Sequence, residues 1–296
     1  MNAELEALEA SIDAAPDDAS RYAVLGDWYA QQGDPRGELI ALQLDRSGSK
    51  ARREREAELL SLPSIRVPAS RETSAQWRWG FVHTLSFAIR EELLLQDEWQ
   101  HQLSATLAHP NYRFLRELMI EVSSGDDALD YLADSLPRHV QALTLICNEV
   151  HLDRLTGKLT QLERMTVAAQ LIVPAPLTLP RLRELALPID ALTIEGLRYA
   201  LSGVRGLHKL MLSSLEAIDR AAVIPATEVP GLESLTLRAE STSRSAVEAI
   251  VESPLRESLT TLDVSRSGLS EEGAQRLLKL TSKFERLANL VLGDAV

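Results

Sequence analysis

Hydrophobic residues recur along this chain at the first, fourth and sixth places of a six-residue phrase, with polar or small residues between them. The phrase is read at Val82, Leu85 and Phe87; Leu115, Leu118 and Ile120; Val140, Leu143 and Leu145; Leu162, Met165 and Val167; and Leu182, Leu185 and Leu187. It continues at Leu207, Leu210 and Leu212; Leu232, Leu235 and Leu237; Leu259, Leu262 and Val264; and Leu287, Leu290 and Leu292. From first anchor to first anchor the steps are 33, 25, 22, 20, 25, 25, 27 and 28 residues. Each phrase predicts a short parallel strand whose anchors point inward, after which the chain must return along the outer side. One such unit cannot bury its apolar face alone, whereas a stack of them can.

The pattern resembles the leucine-rich repeat, whose units run about 20–29 residues; seven of the eight steps fit, and the first carries an insertion. The resemblance implies an α/β solenoid, with a curved parallel sheet on one side and helices or extended returns on the convex side. Residues 91–107, residues 190–202 and the segment opening at Ser270 read as return helices, with Ser270 as N-cap and acids in its first turn. The unit from Leu262 to Ala274 is similar to the ribonuclease-inhibitor-like subtype. Short steps and Pro174, Pro176 and Pro180 leave the middle repeats room only for short or extended returns. The family places asparagine three residues past the sixth anchor; here only Asn148 stands there, so the buried backbone at the bends must find other partners.

Upstream of the repeats the period is helical. Leu5, Leu8 and Ile12 predict a helix over 3–14. Ser20 is the expected N-cap of a second helix carrying Tyr22, Leu25, Trp28 and Tyr29, with Gly33 just past its end. A third runs through Leu39, Ile40, Leu42 and Leu44, and the alternating charges of 50–58 read as a solvated helix face. The run from Leu25 to Ile40, with Gly33-Asp34-Pro35-Arg36-Gly37-Glu38 intact and Gly26 where alanine is usual, resembles the bacterial repeat-companion module. That resemblance implies a bacterial source, a small all-α domain preceding a repeat array, and no catalytic activity. Asp34, Arg36 and Glu38 are expected to make local caps and ion pairs. The expected organisation is a helical cap domain over 1–62, a linker over 63–76 and a solenoid of about nine repeats over 77–296. Trp77 and Trp79 are expected at the junction, or as an aromatic platform.

The repeat also predicts which side chains face outward from the strands. The fifth places are Ser86, Met119, Thr144, Thr166, Ala186, Met211, Thr236, Asp263 and Val291. The third places include Arg164, Glu184 and Lys209, and the seventh include Glu121, Ile146 and Arg238. A floor of small and apolar residues with charges at its margins suits a protein-binding groove; the same small residues would also simply permit curvature. The partner-binding candidates are therefore Met119, Glu121, Thr144, Ile146, Thr166, Arg164, Glu184, Met211, Lys209, Thr236, Arg238 and Asp263.

Composition narrows the function classes. A net charge of −12 and a pI near 5.1 oppose nucleic acid and anionic membranes as partners. One cysteine, Cys147, allows no internal disulfide. The acidic N-terminus lacks the form of a signal peptide, and no apolar run approaches the roughly 18 residues that span a bilayer. The expectation is a cytoplasmic protein. Six scattered histidines show no zinc spacing, and phosphate-loop, dinucleotide and nucleophile-elbow motifs are absent. Asp126-Asp127 and Asp17-Asp18 read as turn or capping pairs, and Cys147 as a buried small residue. No cofactor, metal or catalytic residue is expected. The expected function is a non-enzymatic protein–protein interaction scaffold. The alternative is a regulator of a partner enzyme, as GTPase-activating leucine-rich-repeat proteins are, for which Arg90, Arg116 and Asn148 are the candidate polar groups.

Overall fold

Seven of the nine leucine phrases lie side by side as parallel strands in one shared register. In the computed structural model, which describes residues 3–45, 47, 49–67, 73–88, 98–155 and 157–293, these strands sit in the second of two compact units. The units divide between Met119 and Ile120.

In the first unit, α1 (Ala3–Ala14), α2 (Ala19–Gln31), α3 (Arg36–Leu44) and α4 (Lys50–Ser61) follow the helical period closely. The N-cap of α2 is Asp18 rather than Ser20: its Oδ1 accepts from the Ser20 backbone N at 3.0 Å and hydroxyl at 2.6 Å, so the helix opens one residue before the serine. Where α2 and α3 cross, their backbones touch. A Cβ on Gly37 would stand 2.5 Å from Ala30 N and 2.6 Å from Gly26 O, a spacing only glycine permits.

Residues 73–76, expected within a linker, instead belong to β1 (Thr73–Arg78), which pairs antiparallel with β2 (Phe81–Ala88). The first phrase therefore keeps its place in the sheet beside the next phrase, at Leu118, and gains on its other side an antiparallel strand that is not a leucine phrase. The turn between them is Trp79-Gly80, at φ 51° and 83°; two positive φ values are what a two-residue hairpin whose twist matches its strands requires. Trp77 packs with Leu39, Leu59 and Ile65, while Trp79 lies against the cluster of Ile12, Tyr22, Leu25, Tyr29, Ile40, Phe81 and Phe114. The helices thus share their core with Phe81 and Phe114, and the compact unit extends well past residue 62. The rest of this unit holds α5 (Glu98–Leu107) and a 3₁₀ turn at Pro110–Tyr112; the first part of the helix expected over 91–107 lies outside the described residues.

β3 (Glu117–Glu121) straddles the division. The second unit continues with α6 (Gly125–Ser135), β4 (Ala142–His151), β5 (Arg164–Val173), β6 (Glu184–Pro188), α7 (Ile194–Ser202) and β7 (Lys209–Ser213). Then come β8 (Ala217–Ile218), α8 (Arg220–Thr227), β9 (Ser234–Arg238), β10 (Ser241–Thr242), α9 (Arg244–Glu252) and α10 (Leu255–Ser258). β11 (Thr261–Arg266), α11 (Glu271–Leu280) and β12 (Asn289–Val291) complete it. β4, β5, β6, β7, β9, β11 and β12 are consecutive parallel neighbours, with Leu143, Met165, Leu185, Leu210, Leu235, Leu262 and Leu290 in one row. The first six of that row are buried, and those from Met165 to Leu262 each lie between equivalents on both sides; Leu290, on the last strand, is only partly buried.

The returns differ as the step lengths predict. β4 and β5 run ten residues each, and no α-helix follows either; β4 leads into a 3₁₀ turn and β5 into Pro174 and Pro176. Later returns are helical and capped alike. The side chains of Thr193, Asp219, Ser243 and Ser270 each accept from the backbone N three residues on. Four of the return helices, α6, α8, α9 and α10, were not among those expected; in α6, Asp126 and Asp127 occupy the first turn, the place where carboxylates are favoured.

Candidate protein-binding face

Burial of the anchors leaves the alternate residues outward. In the fifth place, Thr144, Thr166, Ala186, Met211, Thr236, Asp263 and Val291 are laterally adjacent from β4 to β12. Thr144, Thr166, Met211, Thr236 and Asp263 are partly exposed, Ala186 is buried and Val291 is exposed. One strand position to the side lie Ala142, Arg164, Glu184, Lys209, Ser234 and Thr261. Lys209 Nζ meets Glu184 Oε1 at 2.7 Å, an exposed pair worth less than about 1 kcal/mol. Asp263 turns inward to its own strand, its Oδ1 accepting from Ser265 N at 2.9 Å and Ser265 Oγ at 2.6 Å. Arg238 is exposed at the end of β9. Met119, partly exposed, closes the first unit, whereas the other candidates belong to the second.

Glu121 and Ile146 reach a feature the repeat pattern did not reveal. Together with Ala168, Pro188, Asp190 and Leu215 they line a groove of about 470 Å³ past the C-terminal ends of the strands. Leu215 is 82% exposed, the most exposed large apolar side chain among the described residues. The signal available in the sequence was a leucine standing where an asparagine is usual.

The missing asparagines are replaced piecemeal. Asp190, one repeat before Leu215, accepts from Leu215 N and from Ser214 Oγ, the latter at 2.7 Å. Asn148 donates its backbone N to Ser123 O at 3.1 Å. Ser267, fully buried, donates its hydroxyl to Val264 O at 2.7 Å. β8 and β10 pair with each other as a second, two-stranded parallel sheet, which satisfies that part of the bends.

Cys147 forms part of the groove wall and is 6% exposed. Burial, with the Asp126 charge adding to it, pushes its thiol up from 9.0 to about 11. The folded chain is expected to alkylate with iodoacetamide at near-neutral pH far more slowly than the urea-unfolded chain, because the thiolate is the nucleophile. The same shift favours the protonated folded form. Its contribution is whole below pH 9, where the unfolded thiol ionises, and is lost as pH rises through about 11. Cys147→Ala should remove that part of the alkaline decline in urea-unfolding stability; an unchanged decline would show that the shift is not expressed.

Among the regulatory candidates, Arg116 is 7% exposed in the first unit, with Asp13 at 3.9 Å, and Asn148 is exposed in the second. Arg90 lies outside the described residues. Among the described residues, no cluster of three or more His, Cys, Asp or Glu is placed to hold a metal ion, and no helix is long and apolar enough to cross a membrane.

The in-register parallel strands with their capped returns define the class: a leucine-rich-repeat-like α/β fold. No protein-family model matches the chain, and no curated protein matches it. Among solved structures, the crystal structure of a TLR13–ssRNA13 complex is similar at 16% identity with a TM-score of 0.37. The match covers 66% of this chain and 33% of that one. A likeness of this size says nothing of what this chain binds.

Proposed function

We propose that this chain is a non-enzymatic scaffold of the bacterial cytoplasm, with its N-terminal helices forming a repeat-companion module, and that it binds a protein partner on the outward strand face. The observation that carries the reading is the row of small and apolar residues from Thr144 to Thr236, in one register and partly exposed except at the buried Ala186, flanked by Arg164, Glu184 and Lys209. Protein interfaces combine such a weakly charged floor with a polar rim. The exposed Leu215 at one end of the face adds the kind of apolar anchor that binding surfaces display. Net charge of −12 works against a nucleic acid on the same surface.

The test is affinity capture from native lysate, with quantitative mass spectrometry. Thr166→Glu combined with Met211→Glu should reduce partner capture by roughly tenfold or more, since unpaired carboxylates would be desolvated in the interface. Tyr199→Glu, at an exposed position of α7, should leave capture unchanged. Retention of the partner by the double variant, with its circular dichroism melt unaltered, would remove the strand face from the mechanism.

A further inference from the structure

Where the loops enter β4, β5 and β6 the acidic character of the chain reverses. A groove of about 670 Å³ there is lined by Arg138, Lys158 and Arg181, with Thr160 and Gln161 adding neutral donors and Asp134 as its one carboxylate. The three cations come from three successive repeats, each just ahead of a strand, and all are exposed. Arg205 stands at the corresponding place one repeat further on, ahead of β7 and exposed as well. The row follows from repeat geometry, because residues a few places ahead of successive parallel strands are brought together along one edge.

The charge is not cancelled locally. The side chains of Arg138 and Arg181 make no ion pair or hydrogen bond with described residues, and neither does that of Asp134. Lys158 Nζ lies 3.5 Å from Asp130 Oδ1, but that carboxylate is shared with Arg154, whose Nη1 approaches its other oxygen at 3.1 Å. Four cations therefore face two carboxylates. The carbonyl end of α6, which reaches the groove through Leu136, offsets only about half a charge more. An excess positive charge remains within a groove some 8 Å of screening length can span at physiological salt, on a chain whose net charge is −12.

We propose that this groove docks an acidic segment of a protein partner, its carboxylates meeting the guanidinium groups of Arg138 and Arg181. Arginine suits that task, since its planar fork takes a carboxylate through two parallel hydrogen bonds. The site is separate from the outward strand face and does not depend on it.

The test uses the full chain and a fluorescently labelled oligoglutamate peptide, followed by anisotropy. The peptide should bind at low ionic strength and weaken as salt rises. Arg138→Glu with Arg181→Glu should weaken it roughly tenfold or more, since two attractive contacts become repulsive. The same variant should gain affinity for oligolysine, an outcome a misfolded variant would not produce. Thr166→Glu with Met211→Glu should bind oligoglutamate as the wild type does, so failure of the strand-face reading and failure of this one are distinguishable. The proposal is overturned if the wild type does not bind the peptide, or if the charge-reversed variant binds it equally well. It is overturned too if single-stranded oligonucleotide or anionic phospholipid vesicles bind as tightly and with the same dependence on both arginines, which would make the groove a general polyanion surface.

Discussion

Replacing Arg36 by alanine should cost the first unit roughly 3 kcal/mol, from a lost cation–π contact and a stranded buried acceptor. Arg36 is 6% exposed, and its guanidinium stands 5.2 Å from the Tyr29 ring centroid and 5.0 Å from that of Phe81. Its Nη2 donates to the Oδ1 of Asn111, a side chain with no solvent exposure, and Asn111 Nδ2 in turn donates to Ile65 O. One chain of contacts thus ties α3, the segment after α4 and the 3₁₀ turn together. In urea unfolding, Arg36→Ala and Asn111→Leu should each destabilise. The double variant should fall short of their sum by about 1–2 kcal/mol, because both remove the same buried bond. Strict additivity would show that the two side chains do not share it. The glycine–aspartate–proline–arginine stretch is structural in its other members as well. Asp34 Oδ1 accepts from Arg36 N at 2.8 Å, and Glu38 takes both Nε and Nη2 of Arg55 at 2.7 and 2.8 Å.

Leu235→Ala should be as severe in the second unit, costing about 2–5 kcal/mol through lost burial and the cavity left behind. Leu235 has no exposure and lies between Leu210 and Leu262 in register, so neither neighbour can relax far into the space. Leu290→Ala, at the same place on the last strand, should cost clearly less, because that side chain has a repeat on one side only and is partly exposed. Hydrogen exchange should show the Leu235 variant opening from β7 to β11, since repeat arrays are held by nearest-neighbour contacts. Equal losses for the two leucines would contradict the one-sided packing of β12.

Much of this molecule was legible residue by residue. The anchors of seven phrases are parallel strands in the expected register, and their outward columns are adjacent as the spacing predicts. Helix α1 and the cap at Ser270 follow from local chemistry, since a hydroxyl at the start of a helix satisfies a backbone donor wherever it occurs. The short returns after β4 and β5 follow from chain length alone.

What period and spacing could not reveal are the features made by residues far apart. The phrase at Val82 has the same pattern as the others and lies beside the next phrase, yet it carries an extra antiparallel partner, β1, on its other side. That extra strand was decided by the Trp79-Gly80 turn, and the surrounding core by Phe81 and Phe114 joining the helices. Helix α6 was missed because its two acids read equally well as a turn. The basic groove needed Arg138, Lys158 and Arg181 to be carried to one edge, although they are separated by 20 and 23 residues in the chain. By itself, then, the sequence determined the strands, their register and their outward columns, because a repeated apolar spacing has one way to be buried. The tertiary structure alone decided which helices complete which core and which loop charges share a groove, because those depend on how the returns fold and not on any local preference.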